Sequence, residues 1–364
     1  MGIRNDSPPP GQQRCRPIKS APNAVACAVL SAELHVSRNP LRTADSTAAG
    51  GLTRRDRAVR ALMVFLFTIG PMSTFGAARN PHLPQLSGYN AVRVRYAPLN
   101  KMIMPVRING QLANLLVDTG SNEIILDPDA AESYGVRPSQ RGLRYIGFTE
   151  MGGQMFPICF VQSITAGSMN FGSSPVVLRN LTRSGSGKAH VDGVVGLHTL
   201  FRHKAVINCR TKFIFFKTEP ALRMNLVAAA LSAKFTRVPL HREETGALTV
   251  PCSIHGQSAR LLVDTGAFVT TFSENFFKSL GIASEPTRVS AHFTSGARKH
   301  INAARLDDLE IGHFKVPPEK FGVTTLPEFA LRQGTTAISG ILGMDTLYIF
   351  QAIIDLDSMN LFLK

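Results

Sequence analysis

The sequence predicts an all-β fold with minor short helices, built from two copies of one domain. The first observation is an internal repeat. The segment Pro105–Ser121 returns 146 residues later as Pro251–Ala267, and Gly193–Leu200 returns 147 residues later as Gly340–Leu347. Offsets this similar and this long indicate a duplicated domain, because solenoid arrays repeat every 20 to 50 residues or so. The second observation is that both copies carry strand-like apolar runs.

Each copy begins with a predicted hairpin. The runs Met102–Ile108 and Leu248–Ile254 lead into Asn109-Gly110 and His255-Gly256. Asn-Gly between apolar runs is a strong signal for a two-residue hairpin turn, and His-Gly is a weaker form of it. The returning segments contain wholly apolar triplets, which indicate strands buried on both faces. These triplets are Leu115–Val117 and Leu261–Val263.

Helices are expected to be short, with one in each copy. Pro128–Tyr134 and Glu274–Leu280 are each followed by a glycine, which can end a helix in the left-handed conformation. Each copy closes with another hairpin. The paired runs are Ala205–Ile207 with Phe213–Phe216, and Ala352–Ile354 with Leu361–Leu363. The copies therefore span residues 91–217 and 234–364, and residues 218–233 form a connector of helix-forming composition.

The segment before the first copy is predicted to be a leader. Residues 1–52 are rich in Pro, Arg, Ser and Ala without an apolar period, which predicts disorder. Residues 53–78 combine a basic stretch, the apolar run Ala61–Ile69 and small residues at 76–78, as in a secretory signal peptide. An uncleaved membrane anchor and a buried helix are the alternatives. About 50 residues precede this segment, although secretory signals stand at the start of a chain.

Composition excludes several classes of protein. Of 364 residues, 44% are hydrophobic and 18% are charged, which excludes global disorder. The net charge is +15, of which the first 80 residues carry +7 (11 basic against 4 acidic side chains), so the body is mildly basic. The chain has no Trp and no basic run interleaved with aromatic residues, and we expect no nucleic-acid partner.

Cysteine and histidine patterns point to neither a disulfide framework nor a metal site. The five cysteines include no CxxC pair, and the ten histidines include no HExxH or HxH motif. Cys159, Cys209 and Cys252 are expected to be small buried hydrophobic residues. We expect no metal and no cofactor.

The feature that needs a chemical explanation is an Asp at the end of each apolar triplet. Asp118 and Asp264 follow strands that the pattern buries, and an unpaired buried charge is costly. Each is followed by Thr-Gly, and each precedes an apolar-apolar-Gly block by about 75 residues. A single Asp-Thr-Gly is most simply a turn. Its recurrence at equivalent places in both copies indicates a shared chemical function.

These paired motifs resemble the aspartic proteases of the retropepsin and pepsin superfamily. The resemblance rests on Leu116–Asn122 and Leu262–Phe268 with the later Val194–Gly196 and Ile341–Gly343, and it covers about 260 residues. The block Gly340–Leu347 is similar to bacterial retropepsin-like domains. The resemblance implies two homologous β-barrel lobes related by a pseudo-twofold axis, as in a bilobal protease. It implies that Asp118 and Asp264 are the catalytic pair.

The loop residues around the pair receive supporting roles by the same resemblance. Thr119 and Thr265 match threonines that hydrogen-bond across to the opposite lobe. The remaining loop residues are Gly120, Ser121, Gly266 and Ala267. The apolar Gly-containing strand of each lobe is expected to brace its loop.

Elementary electrostatics supports this assignment. Two carboxylates a few ångströms apart cannot both ionise easily, so the pair shares one proton. The ionised member can act as general base on a water, while the protonated member hydrogen-bonds the scissile carbonyl. The sequence assigns the ionised role to Asp118, because Ser121 could donate a hydroxyl hydrogen bond that Ala267 cannot. Activity is then expected to extend toward neutral pH.

A hairpin covering the cleft is expected in the first lobe. Tyr145–Met155 carries Gly152-Gly153 between apolar residues and lies where the family has its flap. The alternative is an ordinary surface hairpin. The equivalent segment Ala291–Arg298 is more polar.

The leading hypothesis is a single-chain aspartic endopeptidase whose partner is an extended polypeptide substrate. It is expected to be a monomer with intramolecular lobe pairing, and to be periplasmic or secreted, with a possible membrane tether through residues 61–78. Apolar pockets are expected beside the scissile bond. The alternatives are a non-catalytic peptide-binding module on the same fold, and pairing of lobes between chains.

Overall fold

The computed structural model describes residues 30–31, 86–136, 147–151, 154–181, 190–222, 225–293 and 298–364. The predicted signal peptide or anchor at residues 53–78 and the glycine pair at 152–153 lie outside them. Of the leader, the two residues Leu30–Ser31 are described, and they form a short strand. No helix in the described ranges has the length and apolar character needed to span a membrane.

The first copy is built from strands with two short helices. Strand β1 is Leu30–Ser31. The strands of the copy itself are β2 (Tyr89–Arg93), β3 (Arg95–Ala97), β4 (Lys101–Ile108), β5 (Gln111–Val117), β6 (Ile125–Leu126), β7 (Gly147–Met151), β8 (Gln154–Ala166), β9 (Met169–Leu178), β10 (Gly193–Val195), β11 (Val206–Asn208) and β12 (Phe213–Lys217). The helices are α1 (Pro128–Ser133) and α2 (Leu197–Arg202), with a 3₁₀ turn at Pro98–Asn100.

The connector and the second copy follow the same plan. Helix α3 (Leu226–Ser232) lies in the connector, as its composition predicted. The strands are β13 (Thr236–Pro239), β14 (His241–Arg242), β15 (Leu248–Ile254), β16 (Gln257–Val263), β17 (Thr271–Ser273), β18 (Glu285–Phe293), β19 (Arg298–Leu306), β20 (Glu310–Ile311), β21 (Phe314–Lys315), β22 (Glu319–Thr324), β23 (Arg332–Gln333), β24 (Thr336–Ala337), β25 (Gly340–Leu342), β26 (Ile353–Asp355) and β27 (Asn360–Leu363). The helices are α4 (Glu274–Ser279), α5 (Glu328–Leu331) and α6 (Met344–Ile349).

Each copy folds around its own large sheet, which confirms the predicted all-β, two-lobed architecture. In the first lobe the strand order is β3-β4-β5-β10-β6-β9-β8-β7, and an additional pairing of β4 with β8 closes the sheet on itself. In the second lobe the order is β1-β18-β19-β22-β17-β25-β16-β15-β20-β21, with β14 paired to β15. Strands β5 and β16 therefore lie inside their sheets, with a hydrogen-bonded neighbour on both sides.

The predicted hairpin turns form because their residues tolerate a left-handed backbone. Asn109 and Gly110 have φ of 50° and 86°, and His255 and Gly256 have φ of 50° and 71°. Positive φ at both central residues is what the favoured two-residue hairpin turn requires. The turns set the register of β4 with β5 and of β15 with β16, and so decide which side chains of each strand face the core.

The helix prediction was right in position and wrong in number. Helices α1 and α4 begin at the predicted residues, and Gly135 and Gly281 follow them with φ of 70° and 68°. Helices α2, α5 and α6 were not predicted. Helices α2 and α6 are six residues long and follow Gly196 and Gly343, and each buries part of its apolar side chains, namely Leu197 and Leu200 in α2 and Met344 and Leu347 in α6. A six-residue segment shows too little periodicity to be recognised, and its helical state is stabilised by tertiary packing.

A third sheet joins the two copies. Its order is β13-β27-β26-β11-β12-β2, so the terminal hairpins of both copies, correctly predicted one by one, pair with each other. Ile207 of β11 lies opposite Ile354 of β26, and both are fully buried. Cys159, Cys209 and Cys252 are free and buried, as predicted. Burial raises the pKa of the Cys209 and Cys252 thiols to about 12.

An ion-pair cluster crosses between the copies beside this sheet. Asp357 of the second copy accepts from Lys217 Nζ at 2.5 Å and contacts Lys204 Nζ at 2.8 Å. The Lys217 side chain is 4% exposed, whereas that of Lys204 is 48% exposed. Burial alone would raise the pKa of Asp357, but the hydrogen bonds from both lysines outweigh it and lower that pKa.

We expect Asp357→Asn to lower the free energy of unfolding at pH 7 by about 3 kcal/mol, because the buried Lys217 ammonium loses its counter-charge. A lowered pKa means that the carboxylate's contribution is present above its unfolded pKa and disappears as the pH falls through the folded value. Urea unfolding at pH 7 and pH 3 measures both effects. The control Lys204→Ala removes the exposed partner and should change stability by less than about 1 kcal/mol. Equal effects of the two changes would contradict this account.

Candidate active site

The two aspartates of the repeat lie at the ends of the central buried strands. Asp118 follows β5 and Asp264 follows β16, and both side chains are completely buried. The backbone N–H of Asp118 donates to Val195 O at 3.1 Å, and that of Asp264 donates to Leu342 O at 3.0 Å. Each aspartate thus extends the parallel pairing of its strand with β10 or β25, which is the bracing that the sequence predicted.

The threonines after the aspartates bind across to the opposite copy. Thr119 Oγ1 donates to Val263 O at 2.8 Å and accepts from Thr265 N at 3.0 Å. Thr265 Oγ1 donates to Val117 O at 2.8 Å and accepts from Thr119 N at 3.0 Å. Both threonines are buried, so these four hydrogen bonds fix the two loops against each other.

The glycines that follow let the two carboxylates approach. A Cβ on Gly120 would lie 2.3–2.5 Å from the carboxylate atoms of Asp264, and a Cβ on Gly266 would lie 2.5–2.7 Å from those of Asp118. Only a residue without a side chain fits there. Each glycine also donates its N–H to the Oδ1 of its own loop's aspartate, at 2.7 Å and 2.8 Å.

The carboxylates interact directly with each other. No N–H or O–H donor of the described residues reaches Oδ2 of either aspartate. Each carboxyl group shifts the pKa of the other, so the two lie within interaction distance. Two buried carboxyl groups this close cannot both ionise easily, so the pair is expected to share one proton.

The environment of the site raises the pKa of both aspartates. Burial raises the pKa of Asp118 to about 6, against the opposing effects of the hydrogen bond with Asp264, two backbone N–H groups and the positive charge of Arg179. Burial and then the negative charge of Asp118 raise the pKa of Asp264 well above its usual value. Both pKa values are therefore raised, and the two groups titrate as a pair.

The sequence analysis expected the Ser121 hydroxyl to donate to Asp118, and this expectation is wrong. The Ser121 hydroxyl donates instead to Glu123 O at 3.5 Å. Ser121 and Ala267 serve the same structural purpose, since their carbonyls accept from Leu197 N and Met344 N, each at 2.7 Å. These bonds connect each loop to helix α2 or α6.

Two residues at this site were missed by sequence analysis. Arg179, which follows β9, is buried, and its positive charge lowers the pKa of Asp118. Asn122 donates from Nδ2 to Thr245 O of the second copy at 2.9 Å. Aligning the two copies residue by residue could have drawn attention to both, because neither has a like residue in the other copy.

The predicted flap segment is a hairpin. Strands β7 and β8 are paired, with Gly147 opposite Ile158 at one end and Met151 opposite Gln154 at the other. Met151 is buried against Ile125 and Val194, whereas Phe148 and Met155 are about 60% exposed. The equivalent strands β18 and β19 also form a hairpin. Among the described residues there is no group of three or more His, Cys, Asp or Glu side chains that could hold a metal.

Comparison with known protein families agrees with this geometry. Residues 104–199 and 250–346, together more than half of the chain, each match the family model described as aspartyl protease. The chain belongs to the aspartyl protease family. Both copies match the same family model, so the two lobes are tandem aspartyl protease domains. No protein with a curated description matches the chain.

Several solved structures are similar to this aspartyl protease family member. The aspartic proteinase from Irpex lacteus is 14% identical, with a TM-score of 0.42 over 76% of this chain and 96% of that one. Basic 7S globulin from soybean is 10% identical, with a TM-score of 0.42 over 76% and 95%. Conglutin gamma from lupine seeds is 10% identical, with a TM-score of 0.44 over 76% and 95%. Likeness at this level carries no argument about activity.

Proposed function

We propose that this protein is an aspartic endopeptidase in which a water is activated between Asp118 and Asp264, one from each lobe of a single chain. The observation that supports this most is the pair of fully buried carboxyl groups held against each other by reciprocal Thr–Gly loops. Membership of the aspartyl protease family supports the peptidase class.

The proposed mechanism gives the two aspartates different protonation states. Ionised Asp118 accepts a proton from the water, while protonated Asp264 donates a hydrogen bond to the scissile carbonyl oxygen. The water oxygen bonds to the carbonyl carbon while Asp264 gives its proton to the carbonyl oxygen, which forms a tetrahedral diol. As the C–N bond breaks, the amine takes the proton from Asp118, and one diol hydroxyl returns a proton to Asp264, which leaves the carboxylic acid product and the starting state of the pair. No acyl-enzyme forms.

The substrate is proposed to be an extended polypeptide lying between the lobes. Extended peptides bind β-rich clefts through backbone hydrogen bonds, with side chains entering pockets. Apolar clusters flank the pair in both lobes, with Leu116 and Val194 in the first and Leu262 and Ile341 in the second. We further propose a monomer with intramolecular lobe pairing that acts in the periplasm or outside the cell, with residues 61–78 as a possible tether.

The direct test is hydrolysis of an unfolded protein by the full chain, with and without a statine-type inhibitor. A statine hydroxyl imitates the tetrahedral diol, so it should abolish cleavage. Binding of the inhibitor without any cleavage would instead favour a peptide-binding module. No cleavage and no binding would contradict the proposed function.

The pH dependence of the activity follows from the pair. Activity requires one ionised and one protonated carboxyl, so kcat/KM should rise as the pH passes the lower apparent pKa and fall above the higher one. Since Asp118 has a pKa of about 6 and that of Asp264 is raised well above the usual value, we expect a maximum near neutral pH. A pH–rate profile measures this. A maximum below about pH 4, where an unperturbed Asp titrates, would contradict it.

A further inference from the structure

The loop that carries Asp118 is attached to the second copy at a point beyond the threonines. The hydrogen bonds between the two threonines join the loops directly beside the aspartates. Asn122 lies further along the loop, is 5% exposed, and donates from Nδ2 to Thr245 O at 2.9 Å. Thr245 belongs to the turn at residues 243–246 between β14 and β15, here called the cross-lobe turn. Asn122 therefore connects the Asp118 loop to the second lobe separately from the threonines.

The second lobe holds the cross-lobe turn in place. The Glu243 carboxylate accepts hydrogen bonds from the hydroxyls of Thr249 and Thr336. Thr245 Oγ1 donates to Oε1 of Gln333, which is completely buried. These bonds tie the turn to strands β15, β23 and β24. The carbonyl that accepts from the first lobe therefore occupies a fixed position in the second lobe.

Asn122 fits closely between the cross-lobe turn and helix α2. Its carbonyl accepts from His198 N of α2 at 2.9 Å. On the other side, a Cβ added to Gly246 would lie 3.3–3.6 Å from the amide atoms of Asn122. Gly246 has φ of 87°, a conformation that favours glycine. Movement of the turn therefore displaces Asn122, and with it the loop that precedes this residue.

Packing alone does not explain the Asn122 amide. Asn122 Oδ1 is buried, and among the described residues no donor reaches it. A buried acceptor without a donor lowers stability. In the second copy the equivalent residue is Phe268, and Leu99, the equivalent of Thr245, packs on the apolar cluster that contains Phe268. Apolar side chains are thus sufficient for packing at this place, and what asparagine adds is a hydrogen bond with a preferred direction.

We propose that Asn122 is a positioning residue for the peptide hydrolysis proposed above: its hydrogen bond to the cross-lobe turn holds the Asp118 carboxyl at its working distance from Asp264. This inference rests on the proposed protease function. The threonine bonds join the loops close to one point, about which the loops can still tilt. A second attachment at Asn122 removes this freedom. A displacement of about 1 Å in a reacting group is enough to lower the rate about 100-fold.

The distance between the carboxyl groups also affects the pH profile. The negative charge of Asp118 is one cause of the raised pKa of Asp264. This interaction weakens as the two groups move apart. Loss of the Asn122 hydrogen bond should therefore lower the pKa of Asp264 and move the alkaline fall of kcat/KM to lower pH. Arg179, whose charge acts on Asp118, is unchanged in every variant tested.

The experiment replaces Asn122 with leucine in the full chain. Leucine has the same branched shape but no polar atoms, and it adds no charge near the aspartates. We expect kcat to fall by about 10- to 100-fold, KM to stay within about twofold, and the alkaline limb to move to lower pH. Active sites are counted by titration with a statine-type inhibitor, so that unfolded molecules do not contribute to the loss.

Gly246→Ala approaches the same contact from the second lobe. Its methyl group strains the turn and presses on Asn122, so kcat should fall and the alkaline limb should move in the same direction. The double variant Asn122→Leu/Gly246→Ala should lose little more than the more damaging single change, because both act through one contact. The control Glu244→Gln changes an exposed side chain of the same turn and should keep kcat within about twofold.

The outcomes separate the two proposals. If the wild type cleaves peptides and Asn122→Leu keeps its kcat, or loses kcat without a shift of the alkaline limb, this inference is overturned and the protease function stands. If Asn122→Leu does not fold, Thr245→Val decides, since it keeps the Asn122 amide but removes the hydroxyl that fixes the turn, and it should shift the limb in the same direction. If the wild type cleaves no peptide, the proposed function fails and this inference fails with it.

Discussion

Replacing Asp118 or Asp264 with Asn should each abolish peptide hydrolysis, with kcat falling by at least about 10²- to 10⁴-fold. An amide cannot take a proton from water as Asp118 must, and it cannot return the shared proton as Asp264 must. Cleavage of an unfolded protein and of a single-site peptide by the full chain measures the loss. If either variant keeps more than a few per cent of wild-type activity, the two-carboxylate mechanism is wrong for this protein.

The Asp118→Asn substitution should also change the stability of the folded protein. Burial raises the pKa of Asp118, so the folded state loses stability as the pH rises from the unfolded value near 3.9 through about 6. Asn does not titrate. Asp118→Asn should therefore unfold at a higher temperature than the wild type at pH 7, and the difference should shrink near pH 4. Asp307→Asn, at a side chain that is 68% exposed, is the control and should alter neither activity nor stability measurably.

Adding a single methyl group at Gly120 should be nearly as damaging. The Cβ of Gly120→Ala would lie 2.3–2.5 Å from the carboxylate of Asp264, and the loop is held by Thr119 and Thr265, so it cannot move aside freely. We expect at least about a 100-fold loss of kcat/KM, since a displacement of about 1 Å in a reacting group can have that effect.

The control for Gly120→Ala is a substitution at the neighbouring residue, Ser121. Ser121→Ala gives the first lobe the residue that the second lobe has at Ala267, and among the described residues the Ser121 hydroxyl donates to the Glu123 carbonyl and not to Asp118. Activity and its pH profile should stay within about twofold of the wild type. A shift of the pH profile in Ser121→Ala would restore the hydroxyl explanation that the structure removes.

Much of the fold could be predicted because local sequence restricts local conformation. Asn109-Gly110 specifies a hairpin turn by its tolerance of positive φ, and Leu115–Val117 can only be a strand buried on both faces. The repeat then predicted the same hairpin and the same buried strand in the second copy. Helices α2 and α6 could not be predicted, because six residues stabilised by packing carry too little pattern. The pairing of β11 with β26 joins strands far apart in the sequence and leaves no local signal.

By itself, the sequence determined the two lobes, the paired Asp-Thr-Gly loops and their connection to the apolar strands behind them, because these depend on residue type and spacing along the chain. Only the tertiary structure decided what surrounds the two carboxyl groups. Ser121 and Ala267 differ between the loops, but the Ser121 hydroxyl lies near the Glu123 carbonyl and not at Asp118. Burial is the largest cause of the raised pKa of both aspartates, and nearby charges act on each of them through the low-dielectric interior. Distance and burial govern such an interaction, and neither can be read from the order of residues.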